Sequence, residues 1–217
     1  MTRESLKRGF ARRIWQIGAF ADMTKSPGGK GFRLKKHERE PNALLSPFYF
    51  NYRLLQSDHS SKFMAVSLFE RMLGELDLIP DCLAAIPEAI VPIVSTLSDR
   101  TGIPMITPRA AKGHGSGSKV DGIWKPGMTA TLFDDVVTGA DSKLEAHAAL
   151  EAVEIKVEHV FVLTDRQQGG EKQLAVAGLR LHAAFTIDEM LKIFLEENLL
   201  DEDMFLAINT YRMLEAS

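Results

Sequence analysis

The sequence predicts an α/β fold with a mostly parallel, doubly wound sheet that is flanked by helices. Three observations predict this fold. From residue 82 onwards, short apolar runs alternate with segments of helical period. The apolar runs are too short for antiparallel meanders and suit the strands of a parallel sheet. No internal repeat of about 20–50 residues is apparent, which sets solenoids and propellers aside.

The first 58 residues stand outside this alternation, and we predict that they form a small hood over the carboxyl edge of the sheet. Apolar residues at helical spacing predict an amphipathic surface helix at its start: Leu6, Phe10, Ile14 and Ile17. Residues 25–42 are rich in glycine, proline and charge, and they predict an exposed loop. The run SPFYFNYRLL, residues 46–55, predicts an aromatic strand. The predicted division is 1–58 for the hood and 59–217 for the core.

The core segment supplies the alternating elements in order. A helix over residues 60–76 is predicted with Ser60 or Ser61 as its N-cap. A second helix ends near Gly102 and holds Pro92 in its first turn. The other elements are strands at 82–87, 104–107, 129–135, 157–165 and 179–185, helices at 141–153, 171–178 and 201–214, and a helix that begins at the capping box Thr186 to Glu189.

Composition limits the class of protein. The 217 residues suffice for one substantial core, and a formal net charge of −3 argues against a general nucleic-acid binder. The single cysteine, Cys82, cannot form an internal disulfide, which fits a reducing cytoplasm, and its apolar surroundings favour a buried structural thiol. No stretch reaches the ~20 apolar residues that a membrane span needs. We therefore expect a cytoplasmic protein without a nucleic-acid or membrane partner.

The stretch TATLFDDVVTGADSK, residues 129–143, is the strongest candidate site. Asp134 and Asp135 end a predicted strand, and ligands of doubly wound folds bind at the carboxyl ends of the strands. The turn that follows leads into a helix whose first amides can bind an anion, together with the hydroxyls of Thr138 and Ser142. Carboxylates suit sugar hydroxyls or Mg²⁺ as partners. Acids beside an anion site therefore predict a sugar phosphate as the ligand.

A long segment without hydrophobic periodicity, residues 108–127, interrupts the alternation and carries four glycines between residues 113 and 122. Long glycine-rich loops in compact domains are usually functional lids or disordered. The basic side chains of this segment are potential phosphate ligands: Arg109, Lys112, His114 and Lys119. A solvated linker with incidental charge is the alternative. Neither the P-loop pattern nor the GxGxxG fingerprint occurs in the chain.

An apolar strand, two acids, two apolar residues and a Thr-containing turn, here TLFDDVVTGADS, are similar to the PRPP-binding motif of type I phosphoribosyltransferases. Five further segments resemble those of orotate phosphoribosyltransferases in the same order: GAFADM with FRLK, SPFYFNYRLLQSD, AAIPEAIVPIVSTLSDRTGIPM, AAKGHGSGSKVDG and VLTDRQQGG. The resemblance to this family covers nearly the whole chain. It implies a type I phosphoribosyltransferase-like core with a small N-terminal hood and a long flexible loop.

The resemblance implies transfer of a 5-phosphoribosyl group from PRPP to orotate in pyrimidine synthesis. Asp134 and Asp135 would bind the ribose hydroxyls and, with Lys112 and His114, would be the catalytic residues. Arg109 would join Lys112 and His114 at the pyrophosphate. The remaining PRPP-binding positions would form the turn around the 5-phosphate: Val136, Val137, Thr138, Gly139, Ala140, Asp141 and Ser142.

The same resemblance implies the other partners. Tyr49 and Phe50 would border the orotate ring, Arg166 would meet its carboxylate, and Lys35 and Thr138 would complete the orotate site. Mg²⁺ would be the cofactor, carried mainly by PRPP without a direct protein ligand. A homodimer with shared active sites is implied, because the long loop closes over the neighbouring subunit's site in the family.

Three departures from the family pattern reduce positive charge or add negative charge near the phosphates. Pro108-Arg109 stands where the family has Arg-Lys, and Glu88-Ala89-Ile90 lacks a basic residue found in the family. The phosphate turn has Ala140-Asp141 in place of Gly-Thr. Lys36 is an alternative to Lys35, since about six extra residues separate this region from Ser46. Two other functions therefore stay open: a phosphoribosyltransferase for another base, and a non-catalytic regulator that binds PRPP or a nucleotide.

Overall fold

A computed structural model describes residues 2–109 and 119–216 of the chain. Residues 110–118 of the predicted long loop, which include Lys112 and His114, lie outside these ranges. The strands are β1 (Phe20–Asp22), β2 (Phe48–Phe50), β3 (Cys82–Ala85), β4 (Met105–Pro108), β5 (Val120–Asp121), β6 (Thr129–Val137), β7 (Lys156–Asp165) and β8 (Arg180–Thr186). The α-helices are α1 (Arg3–Gln16), α2 (His59–Glu75), α3 (Val91–Thr101), α4 (Asp141–Glu151), α5 (Gly170–Val176), α6 (Ile187–Glu196) and α7 (Glu202–Ala216).

The central sheet has six strands in the order β5-β4-β3-β6-β7-β8. All neighbours are parallel except β4 and β5, which pair antiparallel at one edge. From β3 the chain continues outwards to β4, and it then returns to the other side of β3 to form β6. The gap between the carboxyl ends of β3 and β6 is therefore the topological switch point of the sheet, where ligands of such folds bind.

Helices cover both faces of the sheet, which confirms the predicted doubly wound architecture. Alternating side chains of the central strands point to opposite faces, as in the pair Leu132 and Phe133 of β6. On one face, Phe133 packs into a core with residues of α1, α2, α3, α6 and α7. On the other face, Leu132 packs with residues of α4 and α5, and Cys82 is fully buried there.

The first helix belongs to the same core as the sheet. Phe10 of α1 is fully buried and its ring lies 5.6 Å from that of Phe185 in β8. Lys7 donates a hydrogen bond of 2.8 Å to Glu189 of α6. The hood residues that follow α1 form a small antiparallel pair of β1 and β2. Whether residue 58 divides two units stays a prediction.

Two predicted helix ends are confirmed in detail. Gly102 caps α3 with a left-handed φ of 72°, and Pro92 lies in the first turn of that helix. Thr186 and Glu189 form the predicted capping box of α6, since each side chain accepts a hydrogen bond from the other residue's backbone N–H. Signals that act within one turn of chain are therefore visible in the sequence alone.

The predicted N-cap of α2 is wrong. Asp58, and not Ser60 or Ser61, caps the helix, because its carboxylate accepts a 2.9 Å hydrogen bond from the Ser61 N–H. The same carboxylate forms an ion pair of 2.5 Å with Arg13 of α1. This partner lowers the pKa of Asp58 well below its usual range and fixes the start of α2 against α1.

The hood is more ordered than the sequence predicts. The aromatic strand is confined to β2, which pairs with the three-residue strand β1, and residues 52–56 form a 3-10 helix. The segment 25–42 contains short 3-10 turns and an antiparallel bridge between Phe32 and Ser46, so it is not an irregular loop. His37 is buried and accepts from the Leu34 N–H at 2.8 Å. The short strand β5 was not predicted, since two residues carry no periodicity.

None of the helices in the described ranges is long and apolar enough to cross a bilayer.

Candidate active site

A cavity of about 540 Å³ opens at the switch point between β3 and β6. Its floor is formed by the segment that follows β3, by the end of β6 and by the first turn of α4, and the hood forms the opposite wall. Four parts of the chain contribute to the lining, which is mostly charged, polar and aromatic and includes these residues: Lys35, Lys36, Arg39, Tyr49, Phe50, Tyr52, Glu88, Asp134, Asp135, Val136, Thr138, Gly139, Asp141, Ser142, Lys143 and Arg166.

The two acids are held by the backbone at the end of β6. Asp134 is 7% exposed, and its Oδ1 accepts from the Asp135 N–H at 2.8 Å. Asp135 is partly buried, and its Oδ1 accepts from the Val136 N–H at the same distance. Each carboxylate is therefore oriented by a hydrogen bond from the backbone N–H of the next residue.

Asp135 titrates near neutral pH. Burial, and then the adjacent charge of Asp134, raises the pKa of Asp135 to about 7, and Lys143 opposes this rise. An acid of this kind exchanges its proton readily at physiological pH.

Lys143 is a functional-site residue that sequence reasoning missed. It is 3% exposed, and its Nζ lies 2.6 Å from Asp134 Oδ2 and donates to the Val136 carbonyl at 2.5 Å. Lys143 occupies the buried stripe of α4 together with Ala146 and Leu150. A lysine at a core-facing position, in the first turn of the helix that follows two acids, was the signal that could have identified it.

The turn after β6 is braced by α5. The Ala140 N–H donates to Gln173 Oε1 at 2.8 Å, and the Thr138 carbonyl accepts from the Gly170 N–H at 3.0 Å. A Cβ on Gly170 would lie 2.4 Å from a methyl of Val137, so only glycine permits this approach. Val137 and Ala140 are fully buried.

Asp141 is the first residue of α4, and its side chain points away from the core. Its carboxylate is more than half exposed and lies 3.4 Å from Arg39 of the hood. The hydroxyl of Ser142 lies 3.5 Å from Asp134 Oδ2 and 3.4 Å from Lys143 Nζ. The structure thus brings together the turn residues that the sequence predicts, with a carboxylate at the helix N-terminus.

Arg166 follows β7 and is 3% exposed. Its Nη2 donates to Ser46 Oγ at 2.9 Å, and the guanidinium carbon lies 4.1 Å from the centroid of the Phe48 ring. Nε has no hydrogen-bond partner, and no carboxylate pairs with the guanidinium, among the residues that the structure describes. Burial lowers the pKa of Arg166 to about 10, which leaves it charged at neutral pH.

The predicted aromatic and lysine positions lie on the hood wall. Tyr49 stacks on Phe32 with ring centroids 5.6 Å apart, and Phe50 is almost fully buried behind it. Lys36 pairs with Glu215 of α7, whereas Lys35 is exposed and has no ion pair within the described ranges. Of the two lysines, Lys35 therefore has the freer side chain for a ligand.

Arg109 lies just after β4, where its N–H donates to the Lys119 carbonyl at 2.8 Å. Its side chain lies 3.2 Å from Asp121 of β5, and it is not among the described residues that line the cavity. The structure therefore does not bring Arg109 together with the acids of β6.

Comparison with known proteins decides the family. The orotate phosphoribosyltransferase of Cenarchaeum symbiosum (strain A) is 34% identical to this chain over 179 residues, which cover 80% of this chain and 82% of that protein. The chain belongs to the orotate phosphoribosyltransferase family. This membership confirms the resemblance found in the sequence motifs. None of the protein-family models compared with the chain matches it.

Solved structures of the orotate phosphoribosyltransferase family and its relatives share the fold. Leishmania donovani UMP synthase gives a TM-score of 0.82 at 21% identity. The match covers 96% of this chain and 42% of the UMP synthase chain. Mycobacterium tuberculosis H37Rv orotate phosphoribosyltransferase in complex with PRPP gives a TM-score of 0.63 at 16% identity, over 85% of this chain and 98% of that one. The predicted fold class, that of the type I phosphoribosyltransferases, is confirmed.

Proposed function

We propose that this chain transfers a 5-phosphoribosyl group from PRPP to orotate and releases orotidine 5-phosphate and pyrophosphate, as a step of de novo pyrimidine synthesis. The observation that carries the proposal is Arg166. It is a buried cation without a carboxylate partner in the described part of the chain, on the wall of a cavity that also holds two acids and a helix N-terminus. Orotate is an anionic base, and its carboxylate is the partner that such a guanidinium lacks.

PRPP is proposed to lie across the end of β6. Its ribose hydroxyls lie at the acidic pair Asp134 and Asp135, where a carboxylate can accept their hydrogen bonds. Its 5-phosphate lies at the first turn of α4, where backbone N–H groups and the hydroxyls of Thr138 and Ser142 can donate. Its pyrophosphate requires cations, and the sequence offers Lys112 and His114 in the long loop, outside the described residues.

Orotate is proposed to lie between this turn and the hood. Tyr49 and Phe50 border the ring, and Thr138 lies near both substrates. Lys35 adds a second cation on the hood wall. The stacked pair of Phe48 and the Arg166 guanidinium orients the charge that meets the carboxylate.

Mg²⁺ is the proposed cofactor. Within residues 2–109 and 119–216, no three His, Cys, Asp or Glu side chains converge on a point where they would hold a metal ion. We propose that the ion enters with PRPP and is bound mainly by the oxygens of that substrate. Bound in this way, it would neutralise charge on the departing pyrophosphate.

The reaction breaks the bond between the ribose C1 and the pyrophosphate oxygen, and a bond from C1 to a ring nitrogen of orotate forms. The proton on that ring nitrogen is released, to the departing pyrophosphate or to water. The electron pair of the broken bond leaves with pyrophosphate, and the ribose carbon acquires oxocarbenium character. The protein's role is to hold the two substrates in line and to place charges, since no covalent intermediate is needed.

The family resemblance supports two further parts of the proposal. A homodimer with shared active sites would let the long loop of one subunit supply Lys112 and His114 to the other. A cytoplasmic location fits both the pathway and the single buried cysteine, Cys82.

The test is an absorbance assay with PRPP, Mg²⁺ and orotate, run in parallel with uracil, hypoxanthine and adenine. We expect loss of orotate alone. Turnover of a different base, with orotate untouched, would overturn the proposal. PRPP binding by calorimetry without turnover of any base would point to a non-catalytic regulator, which the carboxylate of Asp141 at the phosphate turn favours.

A further inference from the structure

Lys143 is the one fully enclosed lysine beside the acids of β6 among the residues described, and all three of its polar contacts line the cavity. Its Nζ lies 2.6 Å from Asp134 Oδ2, 2.5 Å from the Val136 carbonyl oxygen and 3.4 Å from Ser142 Oγ. The ammonium group therefore joins the end of β6 to the first turn of α4.

The contacts of the two acids are unequal. Asp134 has one oxygen bound to a backbone N–H and the other bound to Lys143, with the Ser142 hydroxyl 3.5 Å away. Asp135 accepts one backbone hydrogen bond, from Val136, and no cation pairs with it in the described ranges. The charge of Asp134 is therefore balanced by Lys143, and both of its carboxylate oxygens already have partners. Asp135 can still accept hydrogen bonds from a ligand in the cavity.

Stability does not account for a lysine at this position. A buried ion pair is often no more stable than well-packed apolar residues of similar volume, because desolvation offsets the Coulomb attraction. The stripe of α4 that contains Lys143 is otherwise apolar, with Ala146 and Leu150 below it. An apolar side chain would suit this stripe, but it would leave two adjacent carboxylates without an internal counter-charge.

We propose that Lys143 is a positioning residue that neutralises and fixes Asp134, so that Asp135 is the acid left to bind the ribose hydroxyls of the phosphoribosyl donor. This inference rests on the proposed function. It assigns different roles to the two acids, which the sequence pattern alone does not distinguish. It also supplies an internal cation in a site whose phosphate turn carries the extra carboxylate of Asp141.

The test compares Lys143→Met, which keeps the length of the side chain, with Lys143→Arg, which keeps the charge. Lys156→Met, an exposed lysine at the start of β7, is the matched control. Calorimetry gives the Kd of PRPP without any base, and steady-state kinetics give kcat and both KM values. We expect Lys143→Met to weaken PRPP binding about tenfold and to leave the KM of orotate unchanged, and Lys143→Arg to restore most of the affinity.

The pH profile is a readout that a merely structural lysine would not move. The groups that act on the Asp135 carboxyl are Asp134, Lys143 and the buried phenol of Tyr52. Because Lys143 lowers the pKa of Asp135, its removal should shift the acid limb of kcat/KM for PRPP to higher pH, by about one unit. Lys156→Met should leave the profile in place.

A double-mutant cycle covers the case in which Lys143→Met fails to fold. Asp134→Asn combined with Lys143→Met removes both charges together, which buried pairs tolerate better than loss of one partner. If Lys143 acts through Asp134, adding Lys143→Met to Asp134→Asn leaves the Kd of PRPP unchanged. A further loss in the double variant, or parental affinity and pH profile in a folded Lys143→Met, would overturn the inference. A parent protein that neither binds PRPP nor turns over orotate would instead refute the proposed function.

Discussion

Arg39 of the hood lies 3.4 Å from the carboxylate of Asp141, the first residue of α4. Both side chains are mostly exposed, so the pair contributes only about 0–1 kcal/mol to stability. Its position matters more than its energy, because it places a carboxylate and its counter-charge at the mouth of the proposed phosphate site.

Asp141→Asn should strengthen PRPP binding, because it removes a negative charge beside the site of the 5-phosphate. We expect the KM of PRPP to fall about three- to tenfold at low salt, and the effect to shrink as salt screens the exposed carboxylate. Glu145→Gln, an exposed acid one turn further along α4, is the control. A higher KM in Asp141→Asn would show that Asp141 assists binding, for example by holding Arg39 in place.

Asp135→Asn should change the pH dependence of stability. The pKa of Asp135 is raised to about 7 in the folded protein, so the folded state binds the extra proton between about pH 4 and pH 7. The stabilisation from that proton is complete below about pH 4 and is lost as the pH rises through 7. Urea unfolding should therefore show Asp135→Asn to be more stable than the parent at about pH 8, by about 2–4 kcal/mol, and closer to it at about pH 4. Equal differences at both pH values would contradict the assignment.

Arg166→Met should separate binding of the base from stability. Loss of a charge-assisted hydrogen bond raises the KM of orotate about 10- to 100-fold, while the Kd of PRPP stays near the parental value. The melting temperature of Arg166→Met should equal or exceed that of the parent, because the substitution replaces a buried and incompletely hydrogen-bonded cation with an apolar group. Arg180→Met, on the exposed part of β8, provides the control. An unchanged KM of orotate would remove Arg166 from the base site.

Lys35→Met and Lys36→Met form a matched pair of variants. Lys36 is held by Glu215 and lies over the Tyr211 ring at 5.4 Å, so its loss should lower the melting temperature by loosening α7. Lys35 has no such partner in the described ranges, and its loss should raise the KM of orotate with little change in melting temperature. The reverse pattern would assign the substrate contact to Lys36.

Some features of this molecule could be predicted from the sequence because they depend on local chain geometry. Gly102 and the Thr186 capping box end and begin helices through contacts within one turn, and Asp134 and Asp135 follow an apolar run that marks a strand. The family motif then placed these acids at a ligand site.

Other features depend on which distant segments meet, and no local pattern encodes that. Asp58 caps α2 while pairing with Arg13, which is 45 residues away along the chain. Arg39 and Asp141 are 102 residues apart. The sequence predicts only an exposed loop around Arg39, and it gives no sign of the contact with Asp141. Lys143 is an intermediate case: the spacing of the apolar residues of α4 marks its position as core-facing, but its contact with Asp134 follows from the packing of α4 on the sheet.

The packing of α1 has a consequence for biosynthesis. Lys7 and Glu189, which join α1 to α6, are 182 residues apart, and a ribosome needs about 10–40 s to add that length of chain. During that interval α2 can already cover part of the apolar stripe of Leu6, Phe10 and Ile14, but the part that packs on α6 and β8 still lacks its partner. Until α6 and β8 have been made, that part of α1 is therefore an exposed apolar surface on the growing chain, open to contacts that the folded protein does not contain.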